Sequence, residues 1–200
     1  MTDLLRASAV GFERYGEQVF EPLDIQLSPG MAVVLTGRNG AGKTTLLRLL
    51  AGILTPSCGT LEIDAAVAFV GHLPAVKGDL TCRENLQYEQ SLGPACQPVA
   101  EALARVGLAG LGIRPARALS AGQKKRLGLA RLLVRFTPVW LLDEPYASLD
   151  DHGCATVDRL ISAQLDHGGA VILATHQRQP RIAPERIWQV IVSASGETTE

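Results

Sequence analysis

The chain reads as an α/β protein with a largely parallel central sheet. Apolar β-type runs at residues 31–36, 66–70, 139–142, 170–174 and 187–192 alternate with helical patterns, the order that builds such a sheet. The runs at 139–142 and 170–174 are apolar without alternation, as expected of strands covered on both faces. Residues 1–30 carry shorter alternating pieces around Ile25-Gln26-Leu27, which predict a small antiparallel flap leading into the core.

From about Leu80 to Val134 the pattern is helical, punctuated by Gly and Pro, and predicts a helical subdomain inserted into the sheet-bearing core. Thr81-Cys82-Arg83-Glu84 has capping-box spacing and should open a helix. Pro98 fits a first helical position, with Val99, Ala102, Leu103 and Val106 on one face until Gly107. Ser120-Ala121-Gly122-Gln123 is a second capping-box spacing, opening a helix through Leu127, Ala130, Leu133 and Val134 that stops by Pro138. The tail, residues 193–200, is polar and expected to fray.

Composition sets limits. The 200 residues are enough for a sizeable core, with 46% hydrophobic and 20% charged residues. A formal net charge of −1 gives no field that favours nucleic acid or anionic lipid. No apolar run approaches a membrane span, and the start lacks the pattern of a secretory signal, so the chain is expected in the cytosol with any membrane role coming through a partner. Cys58, Cys82, Cys96 and Cys154 are scattered with no Cys-x-x-Cys pair, which reads as four reduced thiols rather than a zinc or redox site. His152 and His167 fall in polar surroundings and read as surface residues.

The chemistry lies first in Gly37-Arg38-Asn39-Gly40-Ala41-Gly42-Lys43-Thr44, placed between an apolar strand and a helix that begins with Thr45 and Leu46. Glycines let the backbone curl until successive N–H groups point at one anion, and the helix N-terminus adds partial positive charge at the same place. Lys43 is expected on the β- and γ-phosphates of a nucleoside triphosphate and the Thr44 hydroxyl on Mg²⁺. Val139-Trp140-Leu141-Leu142-Asp143-Glu144-Pro145 adds a buried strand ending in two acids. Asp143 is expected to hold Mg²⁺, and Glu144 to orient or deprotonate the attacking water. Ser120 as an N-cap, with open N–H groups behind it, makes a second anion site.

Leu119-Ser120-Ala121-Gly122-Gln123 resembles the signature loop of ATP-binding cassette ATPases, whose usual form is Leu-Ser-Gly-Gly-Gln. Residues 37–44, Asp143 and Glu144 match that family's other landmarks in order. Ser148-Leu149-Asp150 resembles the loop through which two cassettes communicate, and His176, after the strand at 170–174, resembles the switch histidine. The resemblance implies a P-loop NTPase of ABC type: a RecA-like core over about 1–72 and 137–200, an N-terminal antiparallel β flap and a helical signature subdomain over about 73–136, in a single ATP-binding domain. It also implies ATP and Mg²⁺ as cofactors and a homodimer in the ATP-bound state. In that dimer Ser120, Gly122 and Gln123 of one protomer complete the nucleotide pocket of the other, and His176 contacts the γ-phosphate. Tyr15 lies at about the spacing where the family stacks an aromatic on adenine.

Gly71-His72, Pro74, Lys77, Leu80-Thr81 and Glu84-Asn85-Leu86 resemble the matching stretch of the CcmA family, the ATP-binding subunits of the haem exporter of c-type cytochrome maturation. Ala121 in the signature and Thr175-His176-Gln177 at the switch agree with it. That resemblance implies a peripheral ATPase on the cytoplasmic face of the inner membrane, working with a membrane-spanning CcmB-like permease and other cytochrome c maturation proteins. The family's Gln after the strand at 66–70, which links Mg²⁺ to the transporter interface, is absent, Leu73 standing at the amide-bearing position. Another small ABC export system, or a soluble ABC ATPase acting in assembly, remains the alternative. A phosphate-loop kinase shares the first motif but has no reason to carry residues 120–123. Lys124, Lys125, Arg126, Arg131 and Arg135 read as a solvated basic face near the nucleotide rather than a nucleic-acid patch.

Overall fold

The strands and helices follow in the order β1 (Leu5–Gly11), β2 (Glu13–Arg14), β3 (Glu17–Gln18), β4 (Leu23–Leu27), β5 (Ala32–Thr36), α1 (Lys43–Leu50), β6 (Cys58–Ile63) and β7 (Val67–Val70). They continue with α2 (Cys82–Gln90), α3 (Val99–Arg105), α4 (Ala121–Val134), β8 (Val139–Asp143), α5 (Asp151–Asp166), β9 (Ala170–Ala174) and β10 (Ile187–Ile191). The computed structural model describes residues 3–176 and 178–195. Gln177, quoted above for its resemblance, and residues 196–200 of the tail lie outside the described residues.

A five-stranded sheet in the order β10-β5-β9-β8-β7 is parallel throughout. Every residue of β8 and β9 is buried, which explains their unbroken apolar runs. Alternate residues still part to opposite faces. Val33, Leu35, Leu141 and Ile172 pack with the leucines of α1 and with Leu5, Ile25 and Leu27 of the flap. Val34, Leu142, Val171 and Leu173 pack with the helices on the other side. Each fully buried Leu, Ile or Val in these layers contributes about 1.5–3 kcal/mol relative to exposure. Register sets Leu35 and Asp143 on either side of Ala174, so the loops after β5, β8 and β9 leave from one edge of the sheet. That carboxyl edge is where open α/β sheets bind ligands.

The N-terminal flap has three strands, β4-β1-β6, all antiparallel. Its third strand was not foreseen. Residues 58–63 are mostly solvent-facing and carry no clear apolar alternation, so only the pairing of Leu5 with Ile63 and Ala7 with Leu61 reveals a strand.

In the helical stretch Thr81 and Ser120 are N-caps with complete capping boxes, closed by Glu84 and Gln123. Pro98 caps α3 instead of opening it: its backbone is extended (ψ 140°), so the first helical residue is Val99. Helix α4 ends at Val134, ahead of Pro138, because Arg135 is extended and bridges to Ala95. Thr81→Ala removes one capping partner of α2 and is expected to cost about 1 kcal/mol of stability, read from urea unfolding.

The basic run of α4 is not a solvated face, a correction to the expectation above. Arg131 and Arg135, one helical turn apart, both turn onto the buried carboxylate of Glu89 on α2, at 2.6 and 3.3 Å. Lys125 is only 3% exposed. Lys124 and Arg126 are half-buried. Among the described residues no helix is long and apolar enough to cross a membrane. Cys82 and Cys154 are buried and Cys58 and Cys96 exposed, all as free thiols.

Candidate active site

The loop after β5 is shaped by glycines that no other residue can replace without movement. Gly37 has φ +138°, and a Cβ there would run into the Val192 carbonyl. Gly42 has φ +95°, and a Cβ would meet the Phe20 ring at 2.8 Å. Gly42 is also the N-cap of α1 and supplies no side-chain cap, which leaves the first-turn amides for an anion. Lys43 is buried, and its Nζ donates to the carbonyls of Gly37 and Arg38 at 2.6 and 2.8 Å. The ammonium is thereby held against the loop it starts from.

Across the sheet edge, Asp143 ends β8 and is 2% exposed. Its Oδ2 accepts a hydrogen bond from Thr44 Oγ1 at 2.9 Å. Glu144 follows at φ +48°, an uncommon conformation for a side-chain-bearing residue, fixed by its amide donating to Ala174 O at 2.9 Å. The turn aims its carboxylate away from the strand, and Oε1 lies 2.6 Å from Nδ1 of His176. These groups line one cavity of about 380 Å³ with Asn39, Gly40, Gly42, Thr45 and His72. A separate, mostly apolar cavity of about 220 Å³ lies beside Phe136, Trp140 and Gln164, away from this chemistry.

The site residues expected from sequence divide into two groups. Lys43, Thr44, Thr45, Asp143, Glu144 and His176 come together from three chain segments. Tyr15 does not join them: it stands fully exposed at φ +54° in the β2–β3 turn. Ser120, Gly122 and Gln123 lie outside the cavity lining, at the start of α4. There Ser120 Oγ accepts from the Gln123 amide at 3.2 Å, and Gln123 Oε1 accepts from the Ser120 amide at 3.0 Å. The amides of Ala121 and Gly122 are the donors this turn keeps for an outside acceptor. Gly122 packs so closely that a Cβ would stand 2.8 Å from the carbonyl of Ser148.

Sequence reasoning missed Lys125. Its Nζ donates to the main-chain carbonyl of Asp143 at 3.1 Å and to that of Gly71 at 3.4 Å. Burial pulls its pKa from 10.5 down to about 8, against the opposing pull of the Asp143 and Glu144 carboxylates. Between those two values the unfolded chain carries a proton that the folded chain has shed. Stability of the metal-free protein should therefore rise as pH increases from about 8 towards 10.5. Urea midpoints across that window check this, and Lys125→Met should lack that part of the rise.

Thr44 and Asp143 offer a hydroxyl and a carboxylate at one point, a hard-oxygen donor set that fits Mg²⁺. With the glycine loop and Lys43 beside them, the cavity can bind a triphosphate, and Glu144 with His176 can manage a water proton.

Comparison with known proteins agrees with this reading of the fold. Residues 20–147 match the family model described as ABC transporter. A curated relative from Xanthomonas oryzae pv. oryzae (strain MAFF 311018), named cytochrome c biogenesis ATP-binding export protein CcmA, is 49% identical over 185 residues, 86% of either chain. A relative of the same name from Pseudomonas syringae pv. syringae (strain B728a) is 39% identical over 197 residues, 90% of this chain and 92% of its own. Among solved structures, a dimeric ATP-binding cassette in a post-hydrolysis state with ADP and Pi superposes with a TM-score of 0.77. It covers 86% of this chain and 88% of its own, and at 20% identity it bears on the fold alone. The chain belongs to the ABC transporter family and, within it, to the CcmA group, and it is an ATP-binding, ATP-hydrolysing subunit.

Proposed function

We propose that this chain drives haem export for c-type cytochrome maturation, as a peripheral ATPase on the cytoplasmic face of the inner membrane. Its partners are a CcmB-like membrane permease and the neighbouring maturation proteins. One observation carries the catalytic part: Thr44 with Asp143, and Glu144 with His176, close on a single cavity over a glycine loop. The export part rests on near-full-length likeness to proteins named for cytochrome c biogenesis and export.

In this reading the amides of residues 37–44 and the Lys43 ammonium bind the β- and γ-phosphates. Mg²⁺, held by Thr44 and Asp143, supplies charge neutralisation on the phosphate oxygens. Glu144 accepts the proton of the attacking water, and His176, held on the same carboxylate, keeps it aimed and contacts the γ-phosphate. His72 lines the cavity where the family's glutamine amide is absent and supplies the remaining polar contact. Two chains meet head to tail over two ATP molecules, the turn of Ser120, Gly122 and Gln123 closing on the partner's γ-phosphate. Tyr15, exposed and reachable, stacks on adenine. Loss of the γ-phosphate releases the halves, and the segment from His72 to Tyr88 passes that motion to the permease.

Deleting the gene in its host tests the export assignment. Haem-stained c-type cytochromes should disappear and return with the wild-type chain. Their persistence at normal levels after deletion would overturn the assignment while leaving the ATPase chemistry untouched.

A further inference from the structure

Lys125 is a costly residue to bury, yet two main-chain carbonyls receive it, one at the end of each of two neighbouring strands, β7 and β8. It stands five residues beyond the Ser120 cap, on the same 14-residue helix α4. Asp143, whose carbonyl it holds, is hydrogen-bonded to Thr44 through its side chain and is followed at once by Glu144. Gly71, the other acceptor, leads from β7 into His72. The helix start is tied a second time, because Gly122 leaves no room for a Cβ against the Ser148 carbonyl, four residues after Glu144. The first two turns of helix α4 thus touch the chain that carries Asp143 and Glu144 at two points, through Lys125 and through Gly122.

We propose that Lys125 is a positioning residue that couples the two nucleotide sites of the dimer. It ties the helix whose capped end meets the partner's ATP to the acids of its own protomer. This rests on the composite-site reading above. When the Ala121 and Gly122 amides of one protomer engage the partner's γ-phosphate, α4 is drawn toward that nucleotide. Lys125 passes the displacement to Asp143 and, through Gly71, to His72. Each site becomes competent only when the other is filled. In a dimer of two sites such coupling gives a Hill coefficient above 1 and at most 2.

The test compares wild type with Lys125→Met, of similar length and without a donor, Lys125→Arg, which keeps charge and donors, and Lys125→Gln, a neutral donor. ATP dependence of hydrolysis is measured for each, with affinity for a non-hydrolysable ATP analogue and a thermal melt. Wild type should be cooperative. Lys125→Met should fall to a Hill coefficient near 1 with kcat lowered about tenfold, the scale of losing a hydrogen bond from a charged donor. Its analogue affinity should stay within about twofold, since the phosphate loop is untouched. Lys125→Arg should recover cooperativity. Should the methionine variant fail to fold, the glutamine variant carries the test, with the Hill coefficient lowered and analogue binding kept.

Wild-type cooperativity in the methionine or glutamine variant overturns the coupling, as does a wild type with a Hill coefficient of 1. So does a parallel loss of melting temperature, affinity and rate at unchanged cooperativity, which would mark Lys125 as structural only. A control on the Glu144→Gln background separates this inference from the one beneath it. If that protein stays monomeric with ATP, the composite site itself fails and the coupling with it. If it dimerises while Lys125→Met remains cooperative, only the lysine link fails.

Discussion

Glu144→Gln is expected to lower kcat by roughly 10²–10⁴-fold, the usual worth of a positioned general base, while ATP still binds. The amide keeps the shape of the carboxylate but cannot take up a proton. The change leaves the glycine loop, Lys43, and the Thr44–Asp143 contact intact, because none of them bonds to the Glu144 side chain. The φ of +48° is no harder for Gln than for Glu, so the turn should survive. With turnover blocked and ATP retained, a dimer should accumulate. Phosphate release together with size-exclusion chromatography in ATP reads both consequences. Hydrolysis at the wild-type rate would remove Glu144 from the role.

Lys43→Ala should act on the opposite quantity. Its ammonium stands in the cavity lining and is held in place by the main chain, through the carbonyls of Gly37 and Arg38. A charge-assisted contact to phosphate of this kind is worth about 1.5–3 kcal/mol, so nucleotide affinity should fall about 10–100-fold. Truncation also strips two donors from loop carbonyls. They can still turn to water, so the fold should persist with little change in melting temperature. Calorimetric titration with ATP measures the effect directly. Unchanged affinity would count against the loop as the phosphate site.

The parts of this architecture that announced themselves in the sequence are those where local pattern and tertiary role coincide. Residues 139–142 and 170–174 are apolar at every position because both faces of β8 and β9 are covered, and no distant contact was needed to see it. The Thr81 and Ser120 capping boxes are local devices written within four residues, and both form. Strand β6 stayed hidden for the opposite reason: its identity lies in pairing with β1, 47 to 58 positions earlier in the chain. The site shows the same division. Thr44 and Asp143 meet across 99 positions, yet each sits at the end of a legible strand or helix, so the meeting was foreseeable. Lys125 was not. Within Lys124-Lys125-Arg126 it looks like any solvated cation, and its burial is created where α4 meets the ends of β7 and β8. Arg131 and Arg135 deceived in the same way, since the carboxylate of Glu89 that gathers them lies on another helix.

The proposal that most needs a direct answer is that one protomer's glycine loop and its partner's capped helix share a nucleotide. A structure of the Glu144→Gln protein grown with ATP and Mg²⁺ gives it. Two chains should enclose two ATP molecules, each with its γ-phosphate between residues 37–44 of one chain and the Ala121 and Gly122 amides of the other. Nucleotide held by a single chain, with residues 119–123 distant from every phosphate in every pairing of copies, would contradict it.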